Sequence, residues 1–268
     1  MSHRTNAIAL RFLTLLFASL APLVALQAQS GNPAASFLWG TNGIGNLYPV
    51  EKPKAIAGDV VSVSAGGSHT LFIKADGTLW AVGDNTYGQL GIGVADSTAR
   101  STPVQVASSV AKIAAGIGHS MFIRTDGTLW AMGRNVEGQL GDGSTTNRTV
   151  PVQIAINVSS VASGNSHTLF IKTDGTLWAM GQNASTQLGD GSSTQRNTPV
   201  QIATNVASVS TGVTHTMFVK LDGTLWAMGS DGLGQIGKGS SETYALPTQV
   251  ATGRLCCLSY PPAVRILW

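Results

Sequence analysis

Charge is scarce in this chain. Only 11% of its 268 residues are Asp, Glu, Lys or Arg, against about 25% in an ordinary soluble domain. Cysteine is nearly absent: Cys256 and Cys257 are the two present, and they are adjacent. Sequence neighbours do not easily reach unstrained disulfide geometry with each other. No disulfide framework therefore staples this fold, and its stability has to come from an apolar core. A structural zinc takes four ligands, so the pair alone does not hold one. Beyond Ala28, apolar side chains at i, i+3, i+4 and i+7 are also missing, which excludes helical bundles and helical solenoids. No later stretch is apolar enough to cross a bilayer.

The N-terminal segment differs from the rest. Arg4 and Arg11 precede an apolar run from Phe12 to Val24, and small residues follow around Ala25 to Ala28. That is the three-part layout of a secretory signal peptide, with cleavage expected near Ala28. Removing residues 1–28 takes away two arginines and no acid, leaving 14 basic against 13 acidic side chains, a net charge of +1. A near-neutral mature chain gives no electrostatic reason to bind nucleic acid. The expectation is a secreted or periplasmic protein with no membrane contact after cleavage.

What the chain has in plenty is glycine, 32 residues of it, and repetition. HTLFIKADGTLWAVGDNTYGQLG, from His69 to Gly91, returns nearly unchanged at His119, His167 and His215. The step from one copy to the next is nearly constant, and Trp80, Trp130, Trp178 and Trp226 follow it in register. FLWGTNGIGNLY supplies a partial unit at the front, with Trp39 placed as its tryptophan. Each unit reads as a β-branched strand ending in a glycine bend, then the strand HTLFIK, with Thr70 and Phe72 on one face and Leu71 and Ile73 on the other. The turn ADG follows, where both Asp and Gly tolerate positive φ. Next come a return strand TLWAVG, a Gly- and Asn-rich turn, a polar loop and a fourth strand PVQVA, whose proline suits a strand start.

Four short strands in a repeat of about 45–50 residues is the signature of a propeller blade. The fold class expected is all-β, a β-propeller. The residue pattern G-x-S-H-T-L-F-x-K-x-D-G-T-L-W-A-x-G-x-N-x-x-G-Q-L-G, followed by T-P-V-Q, resembles the regulator of chromosome condensation (RCC1-like) repeat family. The likeness runs over about residues 37–250. It implies an RCC1-like propeller of about five four-stranded blades, where members of the family usually have seven. It also implies function by binding, as guanine-nucleotide exchange factor, chromatin binder or exported protein. The organisation expected is residues 1–28 signal peptide, 29–36 linker, 37–250 propeller and 251–268 an atypical tail. TGRLCCLSYPPAVRILW departs from the repeat and reads as a truncated or frame-shifted end. The alternative is that it completes the blade begun at the front.

Chemistry is hard to find in the repeated phrase. One histidine per blade leaves neighbours about a sheet spacing, roughly 10 Å, apart, too far to share a metal. The expectation is that each imidazole hydrogen-bonds backbone of its own glycine bend. DGTLW faintly resembles the Asp-box hairpin of sialidases, but the arginines show no register that would converge on one carboxylate, so a glycoside hydrolase is the remote alternative. The turn glycines have no helix behind them and make no phosphate loop. No catalytic residue, cofactor or metal is expected. Function falls instead to what does not repeat. Tyr87, Arg134, Glu137, Leu233 and Tyr244 are the candidate partner-binding residues, since aromatics and arginine are enriched at interface centres. The leading expectation is an exported, non-enzymatic scaffold that binds a protein partner through variable blade loops, with self-association if the ring stays open. The alternative is an exchange-factor-like regulator of a small GTPase.

Overall fold

The structure, a computed structural model, describes residues 36–38, 54–239 and 242–252. Every regular element among them is a strand. β1 (Ser36–Leu38) pairs antiparallel with β2 (Lys54–Ala57). Four sheets of four antiparallel strands follow. The first holds β3 (Val60–Ala65), β4 (His69–Lys74), β5 (Leu79–Asn85) and β6 (Asp96–Ala107). The second holds β7 (Val110–Ala115), β8 (His119–Arg124), β9 (Leu129–Gly133) and β10 (Arg148–Ala155). The third holds β11 (Val158–Ser163), β12 (His167–Lys172), β13 (Leu177–Gly181) and β14 (Arg196–Ala203), and the fourth β15 (Val206–Thr211), β16 (His215–Lys220), β17 (Leu225–Ser230) and β18 (Thr243–Ala251). In each sheet the strands lie in chain order, as in a propeller blade.

Among the described residues the blades are thus four complete ones and a partial one at the front, β1 with β2. The register of that pair, Ser36 on Ala57 and then Phe37 on Ala55, repeats the shift seen between Leu79–Ala107 and Trp80–Gln105. β1 and β2 are therefore the third and fourth strand positions of a unit, and Phe37 takes the tryptophan position. The assignment of Trp39 to that position is corrected accordingly. Trp39 itself lies outside the described residues, as does the tail beyond residue 252.

Alternation along the hairpins decides which side chains meet. Leu71, Ile73, Leu79 and Leu90 leave the first sheet on one side and pack against Phe122, Met132 and Trp130 of the second. Met121, Ile123, Leu129 and Leu140 do the same against Phe170, Met180 and Trp178 of the third, and Leu169, Ile171, Leu177 and Leu188 against Phe218, Met228 and Trp226 of the fourth. Full burial of each such side chain contributes about 1.5–3 kcal/mol, so three equivalent apolar seams carry most of the stability.

Two local expectations change. In the β4–β5 turn only Gly77 is left-handed, at φ 78°. Asp76 is not. Its Oδ1 instead accepts from Thr78 N–H at 2.9 Å and from Thr78 Oγ1 at 2.6 Å, and the same hydroxyl oxygen accepts from Trp80 Nε1 at 2.8 Å. The aspartate is a side-chain brace, a role its short polar chain performs without positive φ. The polar loop before PVQVA is also partly strand. β6 starts at Asp96 and β10 at Arg148, with the register shifting upstream of the Val104 and Val152 pairs. The outer strand tolerates such a bulge, and with it Pro103, because nothing of its own sheet pairs on its far side.

Candidate functional site

The repeated histidines look outward from their own unit. His69 Nε2 lies 2.8 Å from Ser120 Oγ in the next sheet, His119 Nε2 3.0 Å from Thr168 Oγ1, and His167 Nε2 3.2 Å from Thr216 Oγ1. Each hydroxyl already donates its proton to a backbone carbonyl of the histidine's own unit. Ser120 donates to Gln89 O at 2.7 Å, Thr168 to Gln139 O at 2.9 Å and Thr216 to Gln187 O at 2.8 Å. A hydroxyl has one proton to give. Nε2 must therefore carry the hydrogen and donate it to the hydroxyl oxygen, which leaves Nδ1 with its lone pair. The expectation that the ring bonds backbone of its own bend is corrected: the partner is a side chain one unit on. What the bend supplies is space. A Cβ on Gly116 would collide with His119 Cε1, so only glycine lets the ring lie flat there.

Burial makes these rings neutral. The pKa of His69 is lowered from its usual range to about 4 by desolvation, with Asp84 opposing. His119 falls to about 3, through burial first and then the neighbouring imidazoles of His69 and His167. His167 falls to about 4 for the same leading reason. A base is useful near its operating pH and in reach of substrate. These rings are neither. Among the described residues no group of three or more His, Cys, Asp or Glu could hold a metal ion.

The turn after β5 carries a second buried motif that the sequence reading passed over. Asn85 Oδ1 accepts from Leu90 N–H at 3.1 Å, and Gln89 Oε1 from Tyr87 N–H at 2.9 Å. Asn135 and Gln139, and Asn183 and Gln187, repeat both bonds. All six are buried. Their recurrence as N-x-x-x-Q was the available signal. Arg100, Arg148 and Arg196 share a register, opposite Gly83, Gly133 and Gly181, without converging on one carboxylate. Each binds the aspartate of its own loop: Asp96 at 2.8 Å, Asp142 at 2.5 Å and Asp190 at 2.6 Å. A further cation, Lys74, Arg124, Lys172 or Lys220, stands 4.2–4.5 Å from the tryptophan ring centre of each unit.

The structure brings together three of the five candidate residues. Tyr87, 37% exposed, lies beneath the Arg134 guanidinium, 5.8 Å from ring centre to Cζ. Arg134 also pairs with Glu137 at 2.7 Å and donates to Ser166 Oγ at 3.1 Å. The cluster therefore crosses from the first sheet through the second to the third, on one rim. Leu233 and Tyr244 belong to the fourth sheet. Leu233 is 94% exposed at the tip of the turn after β17, at the repeat position that Tyr87 fills in the first unit. Tyr244 pairs opposite Gly229, its ring 5.8 Å from Lys238 Nζ, while its carbonyl accepts from Thr186 Oγ1 at 3.0 Å. Two depressions lie elsewhere among the described residues. One, of about 380 Å³, lies between the third and fourth sheets against Ile202, Phe218, Lys220 and Trp226. The other, of about 290 Å³, is where the glycine bends of all four sheets meet, around Gly66, Gly116, Gly164 and Gly212.

Comparison with known proteins agrees with this architecture. The chain is similar to human WBSCR16, with 23% identity, a TM-score of 0.64, and 72% of this chain and 53% of that one covered. It is similar to Prp20p from Saccharomyces cerevisiae, whose crystal structure was described with its binding properties to Gsp1p and histones, at 23% identity and TM-score 0.64 over 72% and 50% of the two chains. Yeast Prp20 in complex with Kap60 matches at 23% and 0.62, over 72% and 49%. Identity at this level speaks for the fold alone, and the chain spans about half the length of these relatives. A family model describing the RCC1-like domain matches residues 30–260, most of the sequence and all four complete sheets, so this chain belongs to the RCC1-like domain family.

Proposed function

We propose that this protein acts by binding another protein, with the repeated sheets as scaffold and the rim as recognition surface. The observation that carries this reading is the Tyr87–Arg134–Glu137 cluster. These side chains differ from unit to unit while the histidine, phenylalanine and tryptophan beneath them repeat, and tyrosine and arginine are among the residue types most enriched at binding hot spots. The buried histidines and asparagines are consumed in holding the scaffold, and the rings of His69, His119 and His167 lie out of reach of a substrate. Leu233 adds an exposed apolar anchor two sheets away, and Tyr244 a partly covered aromatic. The N-terminal segment supports export, which makes the expected partner a protein of the secreted or periplasmic space. The test is capture from that fraction with wild type and with a Tyr87→Ala/Arg134→Ala variant of unchanged circular dichroism. A reproducible partner lost in the variant supports the reading, and capture that is equal in both contradicts it.

The family match favours a second reading more directly: an exchange-factor-like regulator of a small GTPase. Its support is the likeness to Prp20p, a protein described as binding Gsp1p. Release of a fluorescent guanine nucleotide from a small GTPase decides between the two. Faster release in the presence of this chain establishes the second reading, and an unchanged rate leaves the first.

A further inference from the structure

The three histidine seams share a feature that a merely structural hydrogen bond does not require. In each, the relay from Nε2–H to hydroxyl to glutamine carbonyl fixes which nitrogen holds the proton. The other nitrogen, Nδ1 of His69, His119 and His167, is buried and has no hydrogen-bond partner. It faces the glycine bend of its own unit so closely that a Cβ on Gly66 would lie 2.7 Å from His69 Nδ1, and one on Gly164 2.7 Å from His167 Nδ1. A proton arriving there would make an N–H with no acceptor and a charge with no counter-ion in contact. Both are costly inside a protein. In a repeat architecture each unit touches only its neighbours, so stability is a sum of unit and seam contributions. Weakening a seam weakens the link between two units while leaving each hairpin intact.

We propose that the three seams form an acid-labile lock, in which proton uptake at the inward Nδ1 of His69, His119 or His167 parts neighbouring sheets while the hairpins within each sheet persist. The charged surroundings set the balance at each site. Asp84, on β5, faces His69 and opposes the effect, whereas Arg134 and the two flanking imidazoles reinforce it at His119. His215 is the neighbour of His167 and has Asp231 beside it. The lock is therefore tightest at neutral pH and every seam weakens in the same direction.

The sign follows from linkage. Unfolded histidine binds its proton near pH 6.5, while the buried rings hold off until about pH 4 or 3. Between those values the unfolded chain holds more protons, so stability falls as pH falls from about 6.5 towards 4. The carboxylates act in a lower window. Asp76, Asp126, Asp174 and Asp222 are held below their usual value, foremost by the hydroxyls of Thr78, Thr128, Thr176 and Thr224. Their contribution is present above the unfolded pKa of 3.8 and is lost only below it.

Urea unfolding of the full chain between pH 7.5 and 4.5, at constant ionic strength, tests the lock. The wild type is expected to lose stability with a slope approaching three protons. His69→Gln, His119→Gln and His167→Gln each keep an N–H in the Nε2 position without titrating, and each should reduce the slope by about one proton. His215→Gln should change it least. Slopes unaltered in all three seam variants overturn the proposal. Should a variant not fold, hydrogen exchange of the wild type at pH 7.5 and 5.0, corrected for intrinsic rates, reads the same event. Faster exchange confined to the bends at 64–68, 114–118 and 162–166, with β5, β9 and β13 still protected, supports it. Uniform loss of protection contradicts it.

Discussion

His119 and His215 occupy the same place in their repeats and live in different surroundings. His119 is fully buried and bonded to Thr168 of the following sheet. His215 is half-buried, with no further complete sheet after it among the described residues. The contrast extends over the whole face. Met121, Ile123 and Leu129 are 0–3% exposed, whereas Met217, Val219 and Leu225 are each partly open. Gln139 is sealed and Gln235 is not. One phrase thus yields a core when a neighbour follows and a half-wet surface when no described sheet does. The phrase specifies a seam, and a seam needs two sheets.

Breaking matched positions should expose this difference most clearly in the apolar layer. Leu129→Ala is expected to cost about 3–4 kcal/mol, within the range for a fully buried leucine. Leu225→Ala should cost about half as much, measured for both by urea titration. Equal losses would mean that the fourth sheet is covered as well as the second.

The polar layer should follow at smaller scale. His119→Ala removes the donor to Thr168 Oγ1, whose own bond to Gln139 O remains, and opens a cavity, for an expected loss of about 2–3 kcal/mol. His215→Ala should cost less than about 1 kcal/mol, since water can reach the site and satisfy what the ring leaves behind. Thermal unfolding of the pair under one buffer gives the comparison.

A third prediction sharpens the contrast by repairing the end unit. Asp231 stands where the other units have asparagine. Its Oδ1 keeps the bond to Ile236 N–H at 2.7 Å, but Oδ2 is buried and has no partner. In the third unit the corresponding Asn183 Nδ2 donates to Asp190 Oδ1, Ser192 O and Thr194 O. The fourth unit has Lys238 where the third has Asp190, so restoring this ligation takes Asp231→Asn together with Lys238→Asp, which should stabilise the protein by about 1 kcal/mol, read as a raised urea midpoint at unchanged slope.

The smallest effects belong to the rim. Tyr87→Ala removes the ring under Arg134 and should cost about 0.5–1 kcal/mol. Leu233→Ala, at the same repeat position with nothing against it, should stay within about 0.5 kcal/mol. Differential scanning calorimetry of both variants resolves the gap.

Much of the fold was readable because the repeat imposes its own alignment. The near-constant step from His69 to His119, His167 and His215 places the hairpins and packing tryptophans of the four complete sheets. Within each unit, the alternation in HTLFIK correctly sorts Phe72 from Leu71 and Ile73. The misreadings have two causes. Which hydroxyl His69 meets depends on how the first sheet stacks on the second, and local spacing carries no such information. Asn85 and Gln89 stand in plain view within N-x-x-G-Q, yet the glycine between them accounts for the turn so readily that two buried side chains go unnoticed. Of the candidate binding residues, nothing in the sequence brought Tyr87 and Arg134 together. Their contact arises because the turn of one unit reaches over the next.

The central claim is that the repeated histidine is a neutral donor closing the seam between units. Nitrogen-15 NMR of the imidazole rings at pH 7 tests it most directly. The account predicts that His69, His119 and His167 carry their hydrogen on Nε2, with Nδ1 unprotonated, and show no titration down to about pH 5. Rings protonated on Nδ1, or titrating near pH 6.5 in the folded protein, would contradict it.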